Sequence, residues 1–196
     1  MQSIWMIRHA FFLLMLLSQP LAAKTAEAIF AGGCFWCVEA DFDKVPGVLK
    51  TTSGYDGGTT PDPDYQTVSS GKTQYVESVR VSYDADKVTY QQLLHYYWRH
   101  IDPTAKEGQF CDHGRQYRSV VFFLNEAQKQ AALATKAVLE KQFPNVYTDI
   151  LASTHFYPAE AYHQNYYQKN PLRYKFYRYR CGRDARIKEL WHDKTT

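Results

Sequence analysis

The spacing of apolar residues along the chain predicts strands and helices in alternation. A buried strand over Ala28–Ala31 ends in two glycines, and Val38, Phe42 and Val45 then follow at helical spacing. Residues 75–83 alternate between two faces, as a half-buried strand does. The order through residue 151 is β-α-β-β-α-β-α-β, which predicts an α+β fold with helices packed on a mixed sheet.

The last part of the chain has a weaker pattern. Residues 158–167 favour a short helix, and Arg173–Cys181 interleaves basic with aromatic residues. We interpret this stretch as part of a long irregular C-terminal tail, extended over the domain with its rings inward and its basic groups in water. The alternative is a surface for single-stranded nucleic acid. A formal net charge of only +3 does not require such a partner, so we expect no nucleic acid.

Residues 1–23 are interpreted as a secretory signal peptide. Arg8 precedes a short apolar run over residues 10–17, and residues 21–23 supply the small side chains of a cleavage site. The apolar run is too short for a permanent membrane span. We therefore expect export to the periplasm, cleavage after residue 23, and a single catalytic domain over residues 24–196. The alternative is an N-terminal helix that is retained in the fold.

Cys34 lies where the first strand turns into the first helix. The unpaired N–H groups and the positive dipole end of that helix favour a thiolate, so we expect a lowered pKa and a nucleophilic sulfur. Cys37 follows one helical turn later, which gives a redox-type pair, and Phe35 and Trp36 offer an apolar wall for a small uncharged group. The alternative for Cys34 is a small buried residue without chemistry.

Two further places carry candidate chemistry. Glu77 shares the apolar face of its strand, where desolvation should raise its pKa and keep it protonated as a general acid. The alternative is a glutamate that reaches solvent or a basic partner. Cys111, Asp112 and His113 lie together, but no second ligand pair completes a zinc set, so we expect no metal.

Five short segments follow one another in a fixed order between residues 28 and 190. They are Gly33-Cys34-Phe35-Trp36, Gly54-Tyr55-Asp56-Gly57-Gly58, Asp64-Tyr65-Gln66-Thr67-Val68-Ser69-Ser70-Gly71-Lys72-Thr73, Glu77, and Asp112-His113-Gly114-Arg115-Gln116-Tyr117-Arg118-Ser119. Together they resemble the motifs of the peptide methionine sulfoxide reductase A family. The resemblance implies a ferredoxin-like α+β fold with extensions. It also implies reduction of the S epimer of methionine sulfoxide, free or in oxidised proteins, as a protein repair activity.

The resemblance implies a role for each matching residue. Cys34 would attack the sulfoxide sulfur as a thiolate, and Glu77 would protonate the departing oxygen. One departure affects the expected surroundings of Glu77, since Gln74-Tyr75-Val76 stands where the family has Gly-His-Ala. The supporting residues would be Tyr65 and Tyr117 as hydrogen-bond donors to that oxygen, Phe35 and Trp36 as the wall that holds the substrate methyl group, and Asp112 as the organiser of the surrounding loop.

Regeneration of the enzyme is implied by the same resemblance. Cys34 would be left as a sulfenic acid, which a second thiol resolves to a disulfide before an external thioredoxin-like or dithiol reductant restores it. Cys37 is one candidate for the second thiol, because it replaces the usual glycine one turn from Cys34, and Cys181 is its competitor. Cys111 is expected to be a buried bystander. We expect a monomer without a bound cofactor.

Two other functions fit parts of the sequence. A thiol-disulfide oxidoreductase would use the Cys34-x-x-Cys37 pair, although that motif normally works within a thioredoxin-like framework. A secreted binding module would instead use the four cysteines as two structural disulfides. The two alternatives differ from a sulfoxide reductase in giving Glu77 no chemical role.

Overall fold

The computed structural model describes residues 24–192, so the predicted signal peptide over residues 1–23 lies outside the described residues. The strands are β1 (Thr25–Gly32), β2 (Val48–Asp56), β3 (Val76–Asp84), β4 (Gly108–Gln109), β5 (Asp112–His113), β6 (Ser119–Phe123), β7 (Asp149–Ala152) and β8 (Tyr157–Pro158). The helices are α1 (Phe35–Phe42), α2 (Tyr65–Ser69), α3 (Tyr90–Trp98), α4 (Glu126–Leu139), α5 (Tyr166–Lys169), α6 (Pro171–Arg180) and α7 (Arg183–Trp191), with a 3-10 helix at Arg115–Tyr117. In this part of the chain, no helix is long and apolar enough to cross a membrane.

The central strands have a ferredoxin-like arrangement. Over the described residues the main sheet has the order β7-β6-β1-β3-β2-β8, and β4 and β5 form a separate hairpin. β1 pairs antiparallel with β3 and β6, β2 pairs antiparallel with β3, and β7 joins β6 in parallel. With α1 after β1 and α3 after β3, the core follows the order βαββαβ. The predicted α+β class, with helices packed on a mixed sheet, is confirmed.

β1 lies in the middle of the sheet and is buried on both faces. Phe30 packs under the helices, with its ring 4.9 Å from that of Phe42 in α1 and 5.0 Å from that of Tyr97 in α3. Ile29 points the other way, into a second apolar cluster that includes Phe122. Burying a side chain of this size contributes about 1.5–3 kcal/mol. The end of β1, where the site begins, is therefore held from both sides.

The C-terminal segment is helical where an extended tail was predicted. Residues 173–180 belong to α6, so the extended conformation was a wrong prediction. The reason is that the basic and aromatic residues also have helical spacing, which places Tyr174, Tyr177 and Arg178 on one face. That face packs towards α1, where Arg178 Nη1 lies 2.9 Å from Asp41 Oδ1.

The buried guanidinium group of Arg183 holds α7 against α1 and the end of β1. Arg183 is only 2% exposed, and its Nη1 donates to the carbonyl of Gly32 at 2.9 Å. Its Nε lies 3.6 Å from Asp41 Oδ2. A buried carboxylate is tolerated when cations and hydrogen bonds compensate its desolvation. The C-terminal helices are therefore tied by charge to the end of β1 and to α1.

We predict that Gly33→Ala destabilises the fold through two separate effects. Gly33 has a φ of +85°, and a Cβ at this position would stand 2.8 Å from the Cβ of Gln109. Left-handed strain and the collision together should lower the free energy of unfolding by about 2–4 kcal/mol. Urea unfolding followed by circular dichroism measures this change.

Gly182→Ala is the matched control for the collision. Gly182 has a φ of +67° but no atom within 4 Å of the position a Cβ would take. Only the strain remains, at about 1–2 kcal/mol. Equal losses in the two variants would show that the close approach to Gln109 does not require glycine at position 33.

Candidate active site

The corner between β1 and α1 carries two buried free thiols. Cys34 is the N-cap residue of α1 and is 7% exposed, and Cys37 lies one turn later at 2% exposed. No side chain caps this helix in the usual way. The backbone N–H of Cys34 instead donates to the Asp112 carboxylate, and the N–H of Phe35 donates to Glu77 Oε2 at 3.0 Å. The first amide groups of α1 therefore bind carboxyl oxygens.

The pKa of the Cys34 thiol is raised, so the predicted lowering by the helix N-terminus was wrong. Burial is the main cause, followed by the hydrogen bond with Cys37 and the negative potential of Glu77. The amide groups expected to stabilise a thiolate are engaged by carboxyl groups. The pKa of Cys37 is lowered, first by that same hydrogen bond and further by the cations of Arg183 and Arg178. Cys37 is therefore the easier of the two thiols to ionise at rest.

Glu77 lies on the buried face of β3, as the alternation of its strand predicted, and is 2% exposed. Desolvation raises the pKa of its carboxyl to about 8, and the negative potential of Asp112 adds to this rise. The hydrogen bond from Phe35 opposes the rise without cancelling it. Glu77 therefore carries a proton at neutral pH and can act as an acid beside Cys34.

Asp112 connects the hairpin β4-β5 to the corner. It accepts the N–H of Cys34, and its Oδ2 accepts the hydroxyl of Tyr177 at 2.6 Å. Its pKa is raised, mainly by burial. Tyr177 is a residue of the site that the sequence analysis missed, because it was assigned to an extended tail. Its helical spacing from Tyr174 is the signal that could have found it.

Two more tyrosines reach the site from separate elements. Tyr65 begins α2, whose N-cap residue Asp64 accepts the N–H of Thr67, and Tyr117 ends the 3-10 helix. Burial raises the pKa of Tyr65 to about 12, with a further rise from Glu77 and from Cys34. The pKa of Tyr117 is also raised, by burial first and then by Glu77. Both hydroxyls therefore stay protonated. Both also lie close enough to Glu77 and Cys34 for the charges of these two groups to affect their pKa values.

An aromatic cluster forms the apolar side of the site. Trp36 stacks on Tyr166 with ring centroids 3.7 Å apart, and the ring of Phe35 lies 6.4 Å from that of Trp36. His163 lies among them, with its ring 4.8 Å from Phe35 and 4.5 Å from Tyr65. Phe35, Trp36 and Tyr65 therefore each have a packing partner in the segment after β8.

His163 was missed by the sequence analysis, which assigned residues 158–167 to a helix. These residues instead form the end of β8, a turn and the start of α5. His163 is 1% exposed and its Nδ1 accepts the indole N–H of Trp36 at 3.0 Å. Burial lowers its pKa, so the ring stays neutral and keeps an acceptor for Trp36. Its Nε2 lies 3.9 Å from Oε2 of Glu160, which also accepts the hydroxyl of Tyr55.

The tripeptide Gln74-Tyr75-Val76, which precedes Glu77, supports the glycine-rich loop after β2. Tyr75 is buried, and its hydroxyl donates to the carbonyl of Thr60. A Cβ on Gly58 would collide with the ring of Tyr75, which shows how closely the loop rests on it. The tyrosine in place of the family's histidine therefore holds the glycine-rich loop after β2.

Cys111 and Cys181 form a disulfide, so Cys111 as a buried bystander was a wrong prediction. Cys111 is exposed in the turn between β4 and β5, and Cys181 follows α6. Both sulfurs lie near Asp112, at 3.9 Å from Oδ1 for Cys111 and 4.0 Å from Oδ2 for Cys181. In this state Cys181 is not a free thiol, whereas Cys37 is.

Two neighbouring buried thiols and a protonated carboxylic acid, with tyrosine hydroxyls nearby, are the features of a thiol-dependent oxidoreductase. The family model for peptide methionine sulfoxide reductase matches residues 26–195. The chain belongs to this family. It is 44% identical over 193 residues to peptide methionine sulfoxide reductase MsrA 2 of Rhizobium meliloti, covering 96% of each chain.

Further relatives agree with this assignment. MsrA 2 of Caulobacter vibrioides is 48% identical over 172 residues, covering 87% of each chain. The crystal structure of Mxr1 from Saccharomyces cerevisiae in reduced form superposes with a TM-score of 0.72 at 31% identity, over 76% of this chain and 87% of that one. The chain is therefore a peptide methionine sulfoxide reductase.

We predict that His163→Leu raises KM for a methionine sulfoxide peptide. The change leaves the buried indole N–H of Trp36 without an acceptor, which costs about 1–3 kcal/mol and corresponds to roughly tenfold in KM. His163→Asn is the matched variant, because its side-chain oxygen can take the place of Nδ1, and it should restore KM to within about threefold of the wild type. Steady-state assays and tryptophan fluorescence measure the effect. The same KM in both variants would contradict a role through Trp36.

Proposed function

We propose that this chain reduces the S epimer of methionine sulfoxide, in free methionine and in oxidised proteins, through sulfenic acid chemistry at Cys34. The observation that carries the proposal is the buried carboxyl group of Glu77, which accepts the N–H of Phe35 directly beside the cysteine corner and whose pKa burial raises to about 8. A disulfide exchange reaction has no use for a buried neutral acid. Removal of a sulfoxide oxygen requires one.

The first step transfers the oxygen. The sulfur of Cys34 attacks the sulfoxide sulfur, and Glu77 gives a proton to the oxygen. In the net reaction, thiol and sulfoxide become sulfenic acid and thioether, so two electrons pass from Cys34 to the substrate. Tyr65 and Tyr117 donate hydrogen bonds to the oxygen, and their raised pKa values keep both hydroxyls as donors.

The apolar residues select the substrate. Phe35 and Trp36 form the wall against which the substrate methyl group packs, and His163 holds Trp36 in place. A small apolar contact of this kind contributes about 1 kcal/mol per methyl group. The wall therefore orients the sulfoxide so that its sulfur faces Cys34.

The second step resolves the sulfenic acid. The thiol of Cys37 attacks the sulfur of Cys34, the hydroxyl leaves as water, and a disulfide forms. Cys37 suits this step because its pKa is lowered, first by the hydrogen bond with Cys34 and further by the cations of Arg183 and Arg178. Proximity within one helical turn favours Cys37 over Cys181, which is bonded to Cys111.

The disulfide is returned to thiols by an external dithiol protein of the thioredoxin class. Mxr1, which shares the fold, has been crystallised in complex with Trx2. The signal-like segment at the N-terminus supports a periplasmic site of action, and the chain is expected to act as a monomer. Repair of exported proteins damaged by oxidants is the corresponding role.

We predict that the purified protein, given dithiothreitol, reduces a peptide with S-methionine sulfoxide and leaves the R epimer unchanged. Cys34→Ser removes the attacking sulfur and should abolish turnover. Separation of the two epimers by chromatography measures this directly. Reduction of insulin disulfides without any loss of sulfoxide would point instead to a thiol-disulfide oxidoreductase.

We predict that Glu77→Gln slows the single-turnover rate by about 10²–10⁴-fold, as expected for loss of a general acid. The raised pKa of about 8 means that Glu77 is protonated below this pH and loses its proton above it. The wild-type rate should therefore fall above about pH 8, and Glu77→Gln should lack this fall. Rapid-quench assays over pH 6–10 measure both profiles.

Glu39→Gln is the matched control for the pH profile. Glu39 is also buried, and desolvation raises its pKa to about 7, but its carboxylate binds the N–H of Asn165 rather than a group of the site. Its replacement should leave the fall above pH 8 in place. Loss of that fall in Glu39→Gln would remove Glu77 as its source.

We predict that Cys37→Ser, given one equivalent of S-sulfoxide substrate without a reductant, stops at the sulfenic acid after one turnover. One equivalent of methionine forms, and Cys34 remains a sulfenic acid, which dimedone traps for mass spectrometry. The wild type should instead contain a Cys34–Cys37 disulfide. A disulfide between Cys34 and Cys181 in the wild type would transfer the resolving role to the C-terminal segment.

A further inference from the structure

The proposed cycle ends in a disulfide between two cysteines that are buried as free thiols. Cys34 and Cys37 are 7% and 2% exposed. Disulfide exchange requires the attacking sulfur to contact the sulfur it attacks. Cys111, by contrast, is exposed and already forms a disulfide with Cys181. An accessible disulfide thus lies outside an inaccessible pair of thiols.

The accessible disulfide borders the active site through a single side chain. Asp112 accepts the N–H of Cys34, and its Oδ2 lies 4.0 Å from the sulfur of Cys181. Tyr177, which donates to the same carboxylate, precedes Cys181 by one turn, and the N–H of Cys181 binds its carbonyl at 2.9 Å. Cys181 and Cys34 therefore flank the same carboxylate.

The helix that ends at Cys181 has an exposed apolar face. Leu172, Phe176 and Tyr179 are 81%, 67% and 83% exposed and recur at the spacing of one helical stripe, which we call the α6 stripe. Beside it, a groove of about 230 Å³ lies between α6 and α7 and is lined in part by Lys175, Tyr179 and Asp184, whose carboxylate pairs with Arg178. Large exposed apolar side chains grouped in this way are characteristic of protein interaction surfaces.

The rim of the α6 stripe is basic. No aspartate or glutamate occurs between residues 161 and 183. The exposed basic residues of this segment are Lys169, Arg173, Lys175 and Arg180. An apolar stripe with a positive rim fits a partner that has an apolar contact surface and an acidic border.

We infer that the α6 stripe is the docking surface for a protein dithiol reductant with an acidic border, which delivers electrons to the Cys111–Cys181 disulfide at the end of α6. The inference rests on the proposed function, because it supplies the reductant which that function requires. Continuity of the stripe with an exposed disulfide selects a dithiol protein over other partners.

The transfer balances in two exchanges. A reductant thiolate attacks the sulfur of Cys111, Cys181 leaves as a thiolate, and the second reductant thiol releases Cys111, so the reductant is oxidised by two electrons. Cys181 then attacks the Cys34–Cys37 disulfide, and Cys111 attacks the resulting mixed disulfide. This step restores the Cys111–Cys181 bond and leaves Cys34 and Cys37 as thiols.

The first test traps the point of attack. A thioredoxin whose second active-site cysteine is replaced by serine forms a mixed disulfide that it cannot resolve. After reaction with the full protein oxidised by one equivalent of substrate, peptide mapping by mass spectrometry should find the mixed disulfide at Cys111. A mixed disulfide at Cys34 or Cys37 would overturn the inference.

The second test separates docking from chemistry. The double variant Phe176→Ala/Tyr179→Ala should raise KM for thioredoxin at least tenfold, and turnover with dithiothreitol should stay within twofold of the wild type. Leu133→Ala/Val138→Ala is the matched control, since these residues are 42% and 53% exposed on α4, and it should change neither value. Higher salt should raise KM for thioredoxin in the wild type, because the rim is charged.

The outcomes distinguish this inference from the proposed function. Absence of dithiothreitol-supported sulfoxide reduction in the wild type would refute the proposed function itself. With that activity present, an unchanged KM for thioredoxin in the α6 double variant overturns the docking surface. If the α6 double variant instead raises KM for the sulfoxide peptide, the α6 stripe binds substrate proteins. That result would also overturn the inference of a docking surface for the reductant.

Discussion

The active site depends on the hydrogen-bond acceptors of the first two backbone N–H groups at the corner between β1 and α1. A helix start leaves N–H groups that need partners, and here Cys34 N–H binds Asp112 and Phe35 N–H binds Glu77. These two hydrogen bonds bring two carboxyl groups from distant segments to the same turn. The hairpin β4-β5 and strand β3 are thereby aligned on the sulfur of Cys34.

This arrangement produces opposite electrostatic environments for two neighbouring thiols. Burial, the hydrogen bond with Cys37 and the nearby carboxyl groups raise the pKa of Cys34, whereas that same hydrogen bond and the arginines of α6 and α7 lower the pKa of Cys37. Cys34 therefore has to lose its proton before it attacks the sulfoxide, because the thiolate is the reactive form. An easily ionised Cys37 is suited to attack the sulfenic acid once it has formed. The two thiols therefore differ in how readily each one ionises at rest.

The elements defined by local pattern could be predicted, and those defined by distant contacts could not. Strand alternation was enough to place Glu77 on a buried face, and the glycines followed by helical spacing placed Cys34 at a corner. The hydrogen bond between Trp36 and His163 spans 127 residues, and the Cys111–Cys181 bond spans 70, so no local pattern indicates either. The lowered pKa predicted for Cys34 failed for the same reason, because burial by distant segments raises this pKa and carboxyl groups from elsewhere occupy the amide groups.

The protonation state of Glu77 is the central claim, and isotope-edited infrared spectroscopy observes it directly. Comparison of the wild type with Glu77→Gln isolates the carboxyl signal of this residue. The structure predicts a protonated acid at pH 7 that ionises with a midpoint near pH 8. A carboxylate signal already complete at pH 7, with a midpoint near the ordinary glutamate value of about 4.3, would contradict the account.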